Sequence, residues 1–319
     1  MHLGVSRSGA LDAFALQLGN LALGNCRSSA GIEILRGEIH VRSEQDSWIA
    51  VSGTHMDAAV YGVSGNIRDT LRAGSPIALL QGELLRLRNR RATGCAYLTV
   101  GGGIDCPPVL GSCSTDLAAG FGGLDGRALR RGDRIVAGAL SPSQQSMLQA
   151  TCKPCAPYSL REVSPDTMLR ALPGPEFEQA SALFGEHFWR TRFIVSPQAN
   201  RMGARLVPSK QRDHLPRQEG AGMLASHAVA PGTVQLPSQA EAIVLLADAQ
   251  TTGGYPRIAQ VIAADLWKIV QLPAGSEVHF QAVDLAAAAQ ALAGRNSGLA
   301  RAEIAVQHRQ RRIAGTSQP

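Results

Sequence analysis

Lysine is nearly absent: Lys153, Lys210 and Lys268 are the only ones among 31 cationic side chains in 319 residues, and the rest are arginine. Aromatic residues are also sparse, at 4%, and none interleaves with clustered basic residues. Stacking nucleobases needs such a platform, so nucleic acid is excluded as a partner. The net charge of +6 does not restore it, because much of that charge sits at one end. There Arg295, Arg301, Arg309, Arg311 and Arg312 face a single acid, Glu303. Such a tail is expected to be solvated and poorly ordered. No run of about 18 apolar residues occurs, so no membrane-spanning helix is expected. The amino terminus, MHLGVSRSGALD, lacks the charged and apolar regions of a signal peptide. A cytoplasmic protein without a membrane partner is the resulting expectation.

A disulfide framework is missing too. The six cysteines are scattered, and Cys152-Lys153-Pro154-Cys155 is a lone CxxC without a second pair or a histidine at ligand spacing. Zinc takes four ligands, so no metal site is expected. Cys95, Cys106 and Cys113 sit in or beside apolar or glycine-rich stretches, as small hydrophobes do.

What the chain has in quantity is glycine (34) and proline (17), with 45% hydrophobic residues. Many turns and short strands follow from that balance. Apolar positions at Leu11, Phe14, Ala15, Leu18, Leu21 and Ala22 predict a helix over 11–23, capped by Ser8 and stopped at Gly24-Asn25. Strand-like runs follow at 31–35, 39–42, 48–51, 59–61, 77–80, 84–87 and 96–100. Their spacing of about ten residues suggests an antiparallel barrel or sandwich. From Gly101 to Gly126 glycine is too frequent for a core element, and a loop that approaches another backbone is expected. Residues 127–135 read as a hairpin return. The stretch 138–161 is the most linker-like, which places a domain boundary near 150–162. Beyond it, strands are expected at 168–172, 193–196 and 204–207, with a short helix over 176–184. An alanine-rich helix at 285–292 should end at Gly294.

The second half is organised around Leu245–Ile262. An apolar run stops at Ala247-Asp248. A polar turn follows, Gln250-Thr251-Thr252-Gly253-Gly254-Tyr255, and Pro256 then reads as the first residue of a helix. A strand, loop and helix in that order would aim backbone N–H groups and a helix dipole at one point, which suits an anion. Asn200-Arg201, in a polar turn, reads either as an ordinary exposed arginine or as a carboxylate or phosphate clamp.

Taken together, these pieces resemble the carboxyltransferase A/B-subdomain family. The motifs that carry the resemblance in the first half are Gly4-Val-Ser-Arg-Ser-Gly-Ala-Leu-Asp12, Gly19-Asn-Leu-Ala-Leu-Gly-Asn25, Gly31-Ile-Glu33, Tyr97–Ile104 and Gly111–Thr115. In the second half they are Asn200–Gly203, Gly232–Pro237 and Leu246–Pro256. Bacterial members of the family include the C subunit of 5-oxoprolinase. The module also occurs in urea carboxylase and in an antagonist of a sporulation-kinase inhibitor. The resemblance implies a mainly β fold of two cyclophilin-like β-barrel domains with a few short helices. These are residues 1–155 (subdomain A-like) and 160–284 (subdomain B-like), followed by a helix and basic tail over 285–319. Family members usually begin with a further strand before the Gly-Val-Ser motif, whereas this chain starts at Met1-His-Leu-Gly. Either the sequence is truncated there or this member lacks an edge strand and an arginine, and a lost edge strand would expose a ladder.

The implied activity is ATP-dependent opening of 5-oxo-L-proline to L-glutamate, in complex with subunits A and B and with ATP shared among them. On this reading Asp248 and Arg201 are the catalytic candidates. Thr251, Thr252, Gly253, Gly254, Tyr255, Gln235, Asp12 and Asn25 are the substrate- or nucleotide-binding ones, with Gln235 reading the lactam amide. Two alternatives remain open: carboxyl transfer from carboxybiotin to urea or a similar amide, and regulation by binding a kinase-inhibitor protein.

Overall fold

The computed structural model describes residues 4–89, 94–149, 166–177, 187–209, 224–237 and 241–316. The Cys152–Cys155 motif, the boundary stretch 150–162 and most of the helix expected over 176–184 lie outside them. The chain forms two compact units, and neither is contiguous in sequence. One is Asp12–Glu162 with Asn296–Pro319; the other is Met1–Leu11 with Val163–Arg295.

Among its described residues, the unit built on Asp12–Glu162 carries helix α1 (Ala13–Ala22) and eight strands. These are β1 (Ile32–Ile34), β2 (Gly37–Arg42), β3 (Ser47–Gly53), β4 (Asp57–Tyr61), β5 (Ile67–Thr70), β6 (Ile77–Leu79), β7 (Leu84–Asn89) and β8 (Ala96–Val100). They make two four-stranded sheets, β1-β8-β3-β6 and β2-β7-β4-β5. Alternation along β4 and β7 turns Ala58, Val60, Leu85 and Leu87 inward, where they meet Ile34, Ile49, Val51, Leu79 and Leu98 of the other sheet. Strand β5 is missed by periodicity because all four of its side chains are exposed, which leaves no apolar face to alternate. Strand β3 is buried on both faces. Its Trp48 and Ala50 pack with Ala22, Leu23 and Met147, the last from α2 (Pro142–Gln149).

The cap of α1 differs from expectation. Asp12, not Ser8, is the N-cap, and its Oδ1 accepts from the Ala15 amide at 2.9 Å. Ser8 lies at φ +50°, and its amide donates to the Ala247 carbonyl. Gly19 lets the helix lie close on its sheet, since a Cβ there would stand 2.7 Å from Ser52 Oγ. The glycine-rich stretch does approach other backbone: a Cβ on Gly102, at φ +79°, would fall 2.3 Å from the Gly138 carbonyl oxygen. The hairpin expected over 127–135 is absent, and no strand forms there. The Asp133 carboxylate instead binds the Arg127 guanidinium and the Arg130 amide, which folds the segment on itself.

The other unit is a closed barrel. Its elements are β9 (Asp166–Pro173), α3 (His187–Arg190), β10 (Arg192–Val195), β11 (Gly203–Pro208), β12 (His227–Ala228), β13 (Thr233–Gln235), β14 (Ala242–Leu245), β15 (Thr252–Gly253), β16 (Arg257–Val261), α4 (Leu266–Gln271) and β17 (Glu277–Ala282). The barrel order is β10-β11-β14-β13-β16-β9-β17; the β9–β17 pair is parallel and the other described pairs of the barrel are antiparallel. Phe188, Phe193 and Phe280 fill its interior, with the Phe188 and Phe280 rings stacked at 4.9 Å. Each such fully buried side chain stabilises the fold by about 1.5–3 kcal/mol. Leu11 packs against the same core.

Two helical expectations are corrected here. Pro256 opens a strand, not a helix: β16 pairs with both β13 and β9, and helix begins only at Leu266. The apparent helical period merged a β-branched strand, Ile258 to Ile262, with the short helix after it. Gly294 does not end the last helix, α5 (Leu285–Thr316), so the basic tail is helical rather than poorly ordered. An interior glycine costs a helix about 1 kcal/mol. Burial of Leu299 and Ala302 against Leu18 and Leu21, with the Arg27–Glu303 ion pair, offsets it.

Candidate functional site

The second-half motifs meet in the barrel unit, where strand ends and turns hold them. The β10–β11 turn is set by Asn200, whose Oδ1 accepts from the Met202 and Gly203 amides. That turn presents Arg201 to the segment leaving β14. The Asp248 amide donates to the Arg201 carbonyl at 2.9 Å. The side chains form a fork: Arg201 Nε donates to Asp248 Oδ2 at 2.7 Å and Nη2 to Oδ1 at 2.8 Å. Nη2 also donates to the Gly9 carbonyl at 2.6 Å. The two side chains are 15% and 11% exposed, so the pair is largely withdrawn from water. Each charge neutralises the other, and together they tie the amino-terminal segment to the barrel.

Thr252 and Gly253 form β15, which pairs antiparallel with β12 so that His227 lies opposite Gly253 and Ala228 opposite Thr252. The Thr251 and Gly254 carbonyls accept from the Val229 and Leu224 amides. Thr252 and Tyr255 are exposed, and Thr251 is half-buried. The paired glycines therefore lie in and beside a strand. No helix begins there, and the dipole argument for an anion fails at this loop.

Beneath the ribbon lies Gln235 of β13, 1% exposed. Its Nε2 stands 2.7 Å from where a Gly253 Cβ would be, so it occupies the room the glycine leaves. Among the described residues this Nε2 has no hydrogen-bond partner, and neither does the enclosed Nε2 of His227. The far edge of the ribbon is held by Arg257. Its guanidinium donates to Glu176 at 2.9 and 2.6 Å and to the Ala228 carbonyl at 3.1 Å, while its amide donates to the same carboxylate. Hydrogen bonds from Arg257 hold the Glu176 carboxyl below its ordinary value.

Asp12 and Asn25 belong to the other unit and are engaged there. Asp12 is 2% exposed; besides capping α1, its amide donates to Tyr97 Oη at 2.8 Å, and Tyr97 donates to Glu33. Burial pushes the Tyr97 phenol well above its usual range. Asn25 donates to the Val100 and Asn20 oxygens and accepts from the Gly102 amide and Gln144 Nε2. It is the post on which the Gly101–Gly103 turn hangs.

Sequence reasoning missed Glu176, Arg257 and His227. The only local signal was Gly174, where a Cβ would meet the Arg257 carbonyl oxygen at 2.0 Å. Among the described residues no group of three or more His, Cys, Asp or Glu side chains is placed to hold a metal ion. No described helix is long and apolar enough to cross a membrane. Chemically, the ribbon and the Gln235 beneath it bring a buried amide donor next to an imidazole, with threonine hydroxyls and a phenol further along the ribbon. That set suits a small polar, planar ligand.

Comparison with known proteins gives a consistent result. The family profile for the carboxyltransferase domain, subdomain A and B, matches residues 3–282. The 5-oxoprolinase C subunit of Escherichia coli (strain K12) is 38% identical over 277 residues, covering 87% of this chain and 83% of that protein. The solved structure of TTHA0988 superposes with a TM-score of 0.72 at 31% identity over 88% of this chain. Kluyveromyces lactis urea carboxylase gives a TM-score of 0.76 at 26% identity over 93%. The chain spans 50% of the former and 26% of the latter.

Proposed function

Because the chain belongs to the carboxyltransferase A/B-subdomain family, we propose that it is the C subunit of a 5-oxoprolinase, acting with A and B subunits to open 5-oxo-L-proline to L-glutamate at the expense of ATP. The observation that carries this reading is the 38% identity to the E. coli C subunit across most of both chains. A lactam is resonance-stabilised, and phosphorylating its oxygen makes the ring carbon open to water. This chain's part is to hold the lactam: Gln235 donates to its carbonyl, with Thr251 and Tyr255 along the same ribbon. Arg201 and Asp248 fix the loop's approach, and ATP is bound with the partner subunits rather than on the Gly253-Gly254 strand.

The test is reconstitution with A and B subunits, following ADP and glutamate release. Turnover that needs all three chains and 5-oxoproline is expected; a folded complex without it refutes the reading. The resemblance to K. lactis urea carboxylase favours a second reading, carboxyl transfer from carboxybiotin to a urea-like amide. Adding a carboxylated biotin carrier and urea to the same assay tests it.

A further inference from the structure

We infer that His227 Nε2 and Gln235 Nε2 form a matched acceptor and donor that reads the cis-amide edge of the substrate; the substrate's identity rests on the function proposed above, the pair itself on geometry. His227 and Gly253 are direct partners in an antiparallel ribbon, so their Cβ directions leave the same face, with Cβ positions about 5 Å apart. Gly253 has no side chain there, and Gln235 Nε2 reaches to within 2.7 Å of the vacant position. The His227 side chain therefore leaves the ribbon on the face that the Gln235 amide approaches.

The tautomer follows from the neighbouring contact. His227 Nδ1 lies 3.1 Å from the Ala225 carbonyl oxygen, which only accepts, so Nδ1 carries the proton. In the neutral ring Nε2 then presents a lone pair. Gln235 Nε2 presents hydrogens. Both atoms are enclosed, and among the described residues neither is satisfied. Buried groups in that state are unfavourable until something bonds them.

A ligand that completes both must offer a carbonyl and an N–H on one edge. Secondary amides in five-membered lactams are cis and do so, as does urea. A trans peptide points the two groups in opposite directions, and a lactone has no N–H. Loss of one such hydrogen bond corresponds to roughly 10–100-fold in affinity.

The experiment has two arms. In the first, the full chain with 15N-labelled histidine is titrated with 2-pyrrolidinone, N-methyl-2-pyrrolidinone and γ-butyrolactone, alone and with the partner subunits. The His227 Nε2 resonance, assigned by its loss in His227→Phe, should move with 2-pyrrolidinone, and the other two probes should bind at least tenfold more weakly. In the second, His227→Phe and Gln235→Glu in the reconstituted complex should raise KM for 5-oxoproline roughly 10–100-fold while kcat stays within about threefold. Equal binding of the N-methyl probe, no shift in either preparation, or an unchanged KM in His227→Phe overturns the pairing. Should Gln235→Glu fail to fold, His227→Phe and the probe series on the unaltered chain still decide. If the wild-type complex does not turn over 5-oxoproline, the proposed function falls while the titration still judges the pair.

Discussion

The Arg201–Asp248 fork admits a quantitative test that separates holding from chemistry. Both side chains are largely buried, so truncating either leaves a charge without its partner in a poorly solvated place. Breaking a buried pair typically costs 3–5 kcal/mol, against 0–1 for an exposed one. With 15% and 11% of the side chains still reached by solvent, about 3 kcal/mol is expected for Asp248→Ala and a similar figure for Arg201→Ala. The double variant leaves no orphaned charge and should cost about 3–4 kcal/mol, not about 6, a coupling of roughly 2–3 kcal/mol. Tryptophan fluorescence resolves the relevant unit, because Trp189 and Trp267 lie in the barrel unit and Trp48 in the other. In a Trp48→Phe background, urea unfolding then reports the barrel. At an m-value of about 2 kcal/mol/M, each single change should lower the midpoint by about 1.5 M. A midpoint unmoved by either change, with activity lost, would refute the clamp and return the pair to catalysis. Single costs that add to within about 0.5 kcal/mol would refute the coupling.

Three further outcomes are expected. The Glu176 carboxyl, held below its ordinary value of 4.5 by Arg257, contributes stability that is complete above the unfolded value and disappears as pH falls through the folded one. Barrel midpoints should therefore drop below about pH 4.5, and Glu176→Gln should flatten that slope; an unchanged slope argues against the pairing. Asp12→Ala should cost about 1 kcal/mol of cap energy, whereas Asp12→Asn, which still caps, should keep both stability and turnover; a collapse of turnover in Asp12→Asn alone would show that the carboxylate serves the reaction. Leu299→Ala opens a cavity against Leu18 and Leu21 and should cost about 2–4 kcal/mol, with faster amide exchange over 296–312; unchanged exchange would mean the helix stands without that contact.

Most of the strands were legible in the sequence, because a sheet with one buried face prints alternation on its strands. Strand β5 left no print, since neither of its faces is buried. Composition locates the stretch 245–262, but its second half carries a local period that reads as a helix. A barrel must supply β13 and β9 with a shared neighbour, and that long-range demand overrides local period. The same limit applies to the site. His227 sits in Ser-His-Ala-Val-Ala-Pro, which has no periodicity, and its partner Gly253 is distant in sequence. Glu176 matters only through Arg257. Gln235 stands out by its position in a motif, and its enclosure is a tertiary fact. Asp12 and Asn25, binding candidates by the resemblance, chiefly satisfy backbone here, which is the commonest fate of such residues beside helix ends.

The discontinuity of the two units has a consequence for biosynthesis. The unit built on Asp12–Glu162 is translated first, yet Leu299 and Ala302, which cover Leu18 and Leu21, are made only after the whole barrel has been. At roughly 5–20 residues per second, that interval is on the order of ten seconds. During that time one apolar face of α1 stays open to whatever is nearby. The barrel's strands meanwhile form with the segment around Ser8 and Gly9 already to hand. The unit that begins to fold first is thus the one that finishes last, and a ribosome-bound chain stalled short of Leu299 exposes the Leu18–Leu21 face to chaperones.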